Sequence, residues 1–279
     1  MRKVPIMKNW FEGGGRAYAR FRPEYPADLS RFLAGIAPAT DFAVDVGCGN
    51  GQLTEQLAQH FSRVLGLDPS ADQIANAPLS SKSSYACASA ERIPVDDGFA
   101  SLITAAQAAH WFDLPRFYRE VRRIAAPNAA LCLVSYGVLR LEDELNERFS
   151  CFYRKEIGAF WPAERKLVDN GYRDLSFPFA ERTVPEMAIR KEWTLDELLG
   201  YISTWSAVLR VREAGQEEIL RAFASELTKL WGDPSRRRTV LWHSCSGGSD
   251  RCSRSFSRTT GICISYFAAS SRMAHRLKE

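Results

Sequence analysis

Val44-Asp45-Val46-Gly47-Cys48-Gly49-Asn50-Gly51 is the stretch that decides the fold. An apolar strand ends on an acid, and three glycines follow at every second position. Without a Cβ, glycine lets backbone N–H groups approach a ligand closely, and at the carboxyl end of a parallel strand such a loop signals a nucleotide-like cofactor. The spacing disfavours NAD. A dinucleotide fingerprint needs Gly-x-Gly-x-x-Gly or Ala, whereas the residue three after Gly49 is Gln52 and Gly51 arrives one position early.

Outward from this loop, strand and helix patterns alternate. Phe42 to Val46, Val64 to Leu67, Ser84 to Ala88, Leu102 to Ala105 and Ala130 to Tyr136 read as strands. Leu29, Phe32, Leu33 and Ile36 recur at helical spacing before them; Leu53 to Phe61, Asp72 to Ala77 and Phe117 to Ala125 read as helices between them. That order implies parallel strands with right-handed crossovers, a doubly wound Rossmann-like α/β sheet over residues 38–137. Residues 1–37 form an N-terminal helical segment, with Pro23 and Pro26 marking a turn. Beyond Tyr136 the alternation stops. Leu141 to Ile157, Leu195 to Tyr201 and Glu217 to Leu230 carry helical periodicity, with a strand signal at Glu181 to Val184. Residues 138–240 are therefore expected to form a mainly helical cap over the sheet edge, where a pocket needs a cover.

The composition, 46% hydrophobic and 25% charged over 279 residues, fits a soluble globular chain and excludes disordered and collagen-like classes. No run approaches the roughly 18 apolar residues of a membrane span, and the first residues lack an apolar signal core, so the cytoplasm is the default expectation. Cys48, Cys87, Cys132 and Cys151 stand singly, as reduced thiols do. The net charge of +4 is contributed entirely by residues 241–279. The remaining 240 residues are neutral, which gives no nucleic-acid surface.

Asp68 is the second anchor. It ends the strand Val64-Leu65-Gly66-Leu67, 17 residues past Gly51, where a carboxylate accepts hydrogen bonds from a ribose diol. Asp68-Pro69-Ser70 also suits a helix start; the glycine loop upstream favours the ligand role.

With both anchors in place, the chain resembles the class I S-adenosylmethionine-dependent methyltransferases. The resemblance rests on residues 45–51, Gly66-Leu67-Asp68, the segment Ala88 to Pro94 and Asp96-Asp97-Gly98-Phe99 entering the fourth strand. Tyr18 to Pro26, Gln107-Ala108-Ala109-His110-Trp111-Phe112 and Gly200 to Ser206 look like the group of trans-aconitate methyltransferase, whose members act on small molecules. The resemblance implies that Gly47, Cys48, Gly49 and Gly51 pass under the methionyl and ribose parts of S-adenosylmethionine, with Asp45 near its amino group. It places Asp68 and Pro69 at the ribose, Ser89, Ala90 and Glu91 at the adenine and Gln107 at the methionyl end. Ser89 stands where many relatives have an acid. Tyr18 and Arg22 would close over the cofactor, Arg22 as partner to a carboxylate.

His110 and Trp111 follow in the loop that faces the acceptor, His110 as general base or hydrogen-bond donor and Trp111 offering a π face. Packing alone explains Trp111 equally well, and a hydrogen bond that holds the loop explains His110. Methyl transfer needs proximity, alignment and exclusion of water, and no metal set is evident in the core. The expected function is methyl transfer to a small-molecule acceptor, at a carboxylate or hydroxyl oxygen, with neither membrane nor nucleic acid as partner. An NAD-dependent oxidoreductase and a cofactor-binding protein without transfer activity are the alternatives.

The tail after Val240 is atypical. It is dense in Ser, Arg, Gly and Cys, and the further strand expected to close the sheet edge is not legible in it. A shifted reading frame near Val240, a disordered extension, or a metal element of His243, Cys245, Cys252 and Cys263 are the three readings.

Overall fold

The computed structural model describes residues 21–181, 185, 187–243 and 260–266. Its centre is a six-stranded sheet in the order β3-β2-β1-β4-β5-β8, every neighbouring pair parallel. The strands are β1 (Phe42–Val46), β2 (Arg63–Asp68), β3 (Ser83–Cys87), β4 (Ala100–Ala106), β5 (Ala125–Tyr136) and β8 (Thr260–Tyr266). Helices α1 (Ala27–Ile36), α2 (Gln52–Leu57), α3 (Ala71–Ala75) and α4 (Leu114–Ile124) flank it. The chain order reverses at β1 and β4, and both β1 and the glycine loop sit at that switch point, where doubly wound sheets bind ligands.

Alternation along each strand builds two cores. On one face Phe42, Val44 and Val46 join Leu131, Leu133 and the buried stripe Phe117, Val121 and Ile124 of α4. On the other, Ala43, Ala130, Cys132 and Val134 meet Leu29, Leu33, Leu53, Leu57 and the cap. Every residue of β1 is buried, as a strand covered on both faces requires. The Asp113 side chain caps α4 by accepting the Arg116 N–H at 3.2 Å.

The cap comprises α5 (Asp143–Cys151), α6 (Arg165–Asp169), α7 (Leu195–Ser203), α8 (Ser206–Glu213) and α9 (Glu217–Trp231). The helix expected through residue 157 leaves α-geometry at Phe152–Glu156, one π-helical turn. This widening seats Phe152 flat on Phe223 of α9, ring centroids 3.8 Å apart and 10° from parallel. A capping box of Thr194 and Glu197 starts α7.

Two expectations need correction. The cap also contains an antiparallel two-stranded sheet, β6 (Ala188–Trp193) with β7 (Arg238–His243), held by Trp193 and Trp242 packed edge to face at 5.2 Å. Its first strand lies after the Glu181 to Val184 segment, of which residues 182–184 are outside the described residues. Moreover, β5 is not the sheet edge: Thr260–Tyr266, inside the tail, pairs with Ala130 to Tyr136 along its whole length. The signal was hidden because β7 runs through Val240 and the next strand returns only after a Ser- and Arg-rich stretch. Cys245 and Cys252 lie outside the described residues, as do the side chains of His243 and Cys263. Among the described residues no helix is long and apolar enough to cross a membrane.

Candidate cofactor and acceptor site

The glycine loop is a left-handed turn. Gly47, Gly49 and Gly51 have φ of 71°, 57° and 85°, a region that side chains disfavour. A β-carbon on Gly47 would collide with that of Ala108, and one on Gly51 with Tyr85. At Gly49 the nearest atom is the Gln73 side-chain oxygen, 3.8 Å away. The N–H groups of Gly47 and Cys48 both donate to the Leu67 carbonyl, at 2.7 and 2.9 Å, fastening the loop to the end of β2.

Asp68 makes the second fastening. Its Oδ2 accepts the Gly49 N–H at 2.9 Å and its Oδ1 the Ser70 N–H at 2.8 Å. One lone pair on each oxygen remains for a ligand hydroxyl. Burial raises its pKa, and the two backbone donors partly offset this.

Asp45 lies below the loop, 1% exposed, its two oxygens accepting hydroxyls of Thr54 and Thr104, each at 2.8 Å. Burial lifts its pKa to about 6 against the pull of these bonds. The sequence places Asp45 at the cofactor's amino group; the structure commits both of its oxygens to tying β1 to α2 and β4. Cys48 is a buried thiol whose pKa is pushed up by desolvation, and so is unreactive.

These groups line a cavity of about 340 Å³, within the range of small-molecule sites. Gly47, Cys48, Gly49 and Asp45 border one end; Asp68 and Pro69 follow, then Ser89, Ala90 and Glu91, with Arg22, Gln107 and Trp111 completing the wall. Three expected residues are not part of this wall. Tyr18 lies outside the described residues. The Gly51 N–H donates instead to the Cys48 carbonyl at 3.0 Å, and the glycine forms the N-cap of α2. His110 turns to the cap, its Nδ1 3.0 Å from the Tyr172 hydroxyl. Glu91 has a second task, accepting the Asp113 N–H at 3.0 Å.

Among the wall residues that the sequence did not mark as site residues are Tyr25, Gln73, Phe112 and Tyr136. Phe112 adjoins Trp111 and Tyr136 ends β5, signals that position alone offered. Gln73 is 3% exposed and its side-chain oxygen has no hydrogen-bond partner among the described residues. Such burial costs about 1–3 kcal/mol until a ligand supplies a partner.

Two arginines act on His110, Arg22 on the wall and Arg165 outside it. Arg22 sits over the Tyr201 ring at 5.4 Å and donates to the Tyr136 hydroxyl at 3.5 Å. Arg165 is held by Asp169 at 2.9 Å and by the Tyr153 hydroxyl at 3.0 Å, and its guanidinium lies 4.9 Å from the Trp161 ring centroid. Desolvation, then the charges of Arg165 and Arg22, lower the His110 pKa to about 3, so the imidazole is neutral. Gln107 and Tyr172 adopt left-handed φ of 53° and 58°, each at a cost of about 1–2 kcal/mol. The Gln107 carboxamide donates to the Tyr136 carbonyl at 2.8 Å, and its own N–H to Val134 at 2.7 Å. Tyr172 is held by burial at 2% exposure.

The donor set fits a nucleoside cofactor carrying an amino acid. Asp68 suits a ribose diol, Gln73 offers a buried amide without a partner, and Trp111 and Phe112 give apolar faces.

Comparison with known proteins agrees. Residues 44–133 match the family model described as a methyltransferase domain. A Dictyostelium discoideum protein named as a methyltransferase is 34% identical over 220 residues, 77% of this chain and 84% of the relative. A solved structure from Anaeromyxobacter dehalogenans, described as a type II methyltransferase, superposes with a TM-score of 0.75 at 41% identity. It covers 80% of this chain and 95% of that one. A Mycobacterium tuberculosis methyltransferase of unassigned substrate is 34% identical over 119 residues, 42% of this chain and 48% of its own. The NAD-dependent and non-enzymatic alternatives give way to these matches. The chain belongs to the class I S-adenosylmethionine-dependent methyltransferases, and S-adenosylmethionine is its cofactor.

Proposed function

We propose that the enzyme methylates an oxygen of a small acceptor, a carboxylate or a hydroxyl, as methyltransferases of the trans-aconitate group do. The observation that carries this reading is Arg22, a guanidinium on the wall of the cavity. A guanidinium facing a small-molecule cavity attracts an anionic acceptor.

The cofactor supplies an electrophilic methyl group on a sulfonium; the protein supplies position and dryness. Asp68, Pro69, Ser89, Ala90 and Glu91 line the nucleoside part of the cavity, and the glycine loop and Gln107 the methionyl part. Arg22, on the wall, pairs with a carboxylate. Trp111 covers the reacting end with an apolar face. His110, neutral and bonded to Tyr172 outside the wall, holds the loop that carries Trp111 and is not a strong base. A carboxylate acceptor is already ionised at neutral pH and needs none.

The test is transfer from cofactor labelled in its methyl group into a fractionated metabolite extract. The expected product is a small, acidic-parent ester whose label is released by mild alkali, or an alkali-stable ether from a hydroxyl. Label found on nitrogen, carbon or protein would overturn the reading.

A further inference from the structure

We propose that Gln73 is a cofactor ligand that shares the ribose hydroxyls of S-adenosylmethionine with Asp68. The inference rests on the assigned cofactor and is independent of the acceptor.

Three observations converge on this residue. Gln73 is 3% exposed, yet it borders the cofactor cavity. Its side-chain oxygen is buried and accepts no hydrogen bond among the described residues. That same oxygen is the atom nearest to a β-carbon built on Gly49, 3.8 Å away, so the amide stands against the loop residue that Asp68 fastens.

The local chain explains how it comes to be there. Ser70 accepts the Gln73 N–H at 3.4 Å as the N-cap of α3, which sets the first turn of that helix against the loop. Gln73 follows Asp68 by five positions, in the first turn of the helix that starts just after the carboxylate. Asp68 already accepts one backbone N–H on each oxygen. A diol carries two hydroxyls, each both donor and acceptor, so a neutral amide beside the carboxylate completes the set. The amide oxygen takes a hydroxyl proton, and its NH₂ can donate to a hydroxyl oxygen. An apolar side chain would fill the same space; the amide is the choice that a polar ligand justifies.

Titration calorimetry of the full chain tests this, using S-adenosylhomocysteine and its analogue lacking both ribose hydroxyls. Gln73→Leu and the length-matched Gln73→Met are expected to weaken S-adenosylhomocysteine by about tenfold, the effect of one lost buried partner. Both variants should bind the dideoxy analogue within about twofold of the unaltered chain. Equal weakening of both ligands would mean that Gln73 only braces the loop, and no weakening of either would mean that it touches nothing; each result overturns the proposal. The two substitutions differ in shape, so one that fails to fold leaves the other to decide. If the unaltered chain bound no S-adenosylhomocysteine, the cofactor site itself would fall, a result distinguishable from failure of Gln73 alone.

Discussion

The two ends of the cavity are built in opposite ways. The nucleoside end is made by one short stretch of chain, residues 44–91, in which backbone N–H groups, left-handed glycines and a single carboxylate hold one another. The end proposed for the acceptor rests on side chains from distant segments: on the wall Arg22 meets Tyr136, 114 residues away, and outside it His110 meets Tyr172, 62 residues away. A site made of backbone tolerates no added atom but little depends on the rest of the chain. A site made of distant side chains varies with every change in the cap.

The sharpest way to break this contrast is Gly47→Ala. The added carbon would overlap that of Ala108 while sitting at φ of 71°. Left-handed backbone alone costs about 1–2 kcal/mol, and the overlap adds displacement of the loop. Affinity for S-adenosylhomocysteine is expected to fall by more than about a hundredfold. A fall of only a few-fold would show that the loop is not the rigid partner.

Tyr172→Phe probes the other end, with a smaller effect. Loss of the hydroxyl frees His110 to rotate, so kcat should drop by about tenfold while S-adenosylhomocysteine affinity stays unchanged. Equal changes in both would merge the two halves into one unit.

The same contrast explains what could be read from the amino-acid order. Parallel strands β1 to β5 and the carboxylate of Asp68 follow from alternation and spacing within fewer than a hundred residues, and the structure places them as expected. Asp45 lines the cavity as expected, but its bonds to Thr54 and Thr104 could not be read, because those residues belong to separate elements. His110 was readable as a loop residue, but its turn away from the cavity depends on Tyr172, whose left-handed backbone leaves no mark in composition. The strands at Arg238–His243 and Thr260–Tyr266 were missed for a related reason: their partners, in β6 and β5, are 45 or more residues distant.

The smallest expected effect separates the two ends by proton. Unfolded, His110 titrates near 6.5; folded, it does so near 3. The unfolded chain therefore binds the proton first, and stability is lost as pH falls below 6.5. Between pH 7.5 and 6 this removes about 0.8 kcal/mol, or roughly 2–3 °C in Tm for a chain of this size. Asp45 acts in the reverse sense. Its folded pKa of about 6 lies above the ordinary 3.8, so protonation favours the folded state and stability rises as pH falls through that same interval. In the unaltered protein the two slopes partly cancel. Comparing thermal unfolding of His110→Asn with the parent at both pH values isolates the imidazole, and the variant should lose less stability, or gain, on acidification. Parallel curves would mean that His110 is solvated in the folded chain, so that burial does not hold its proton off.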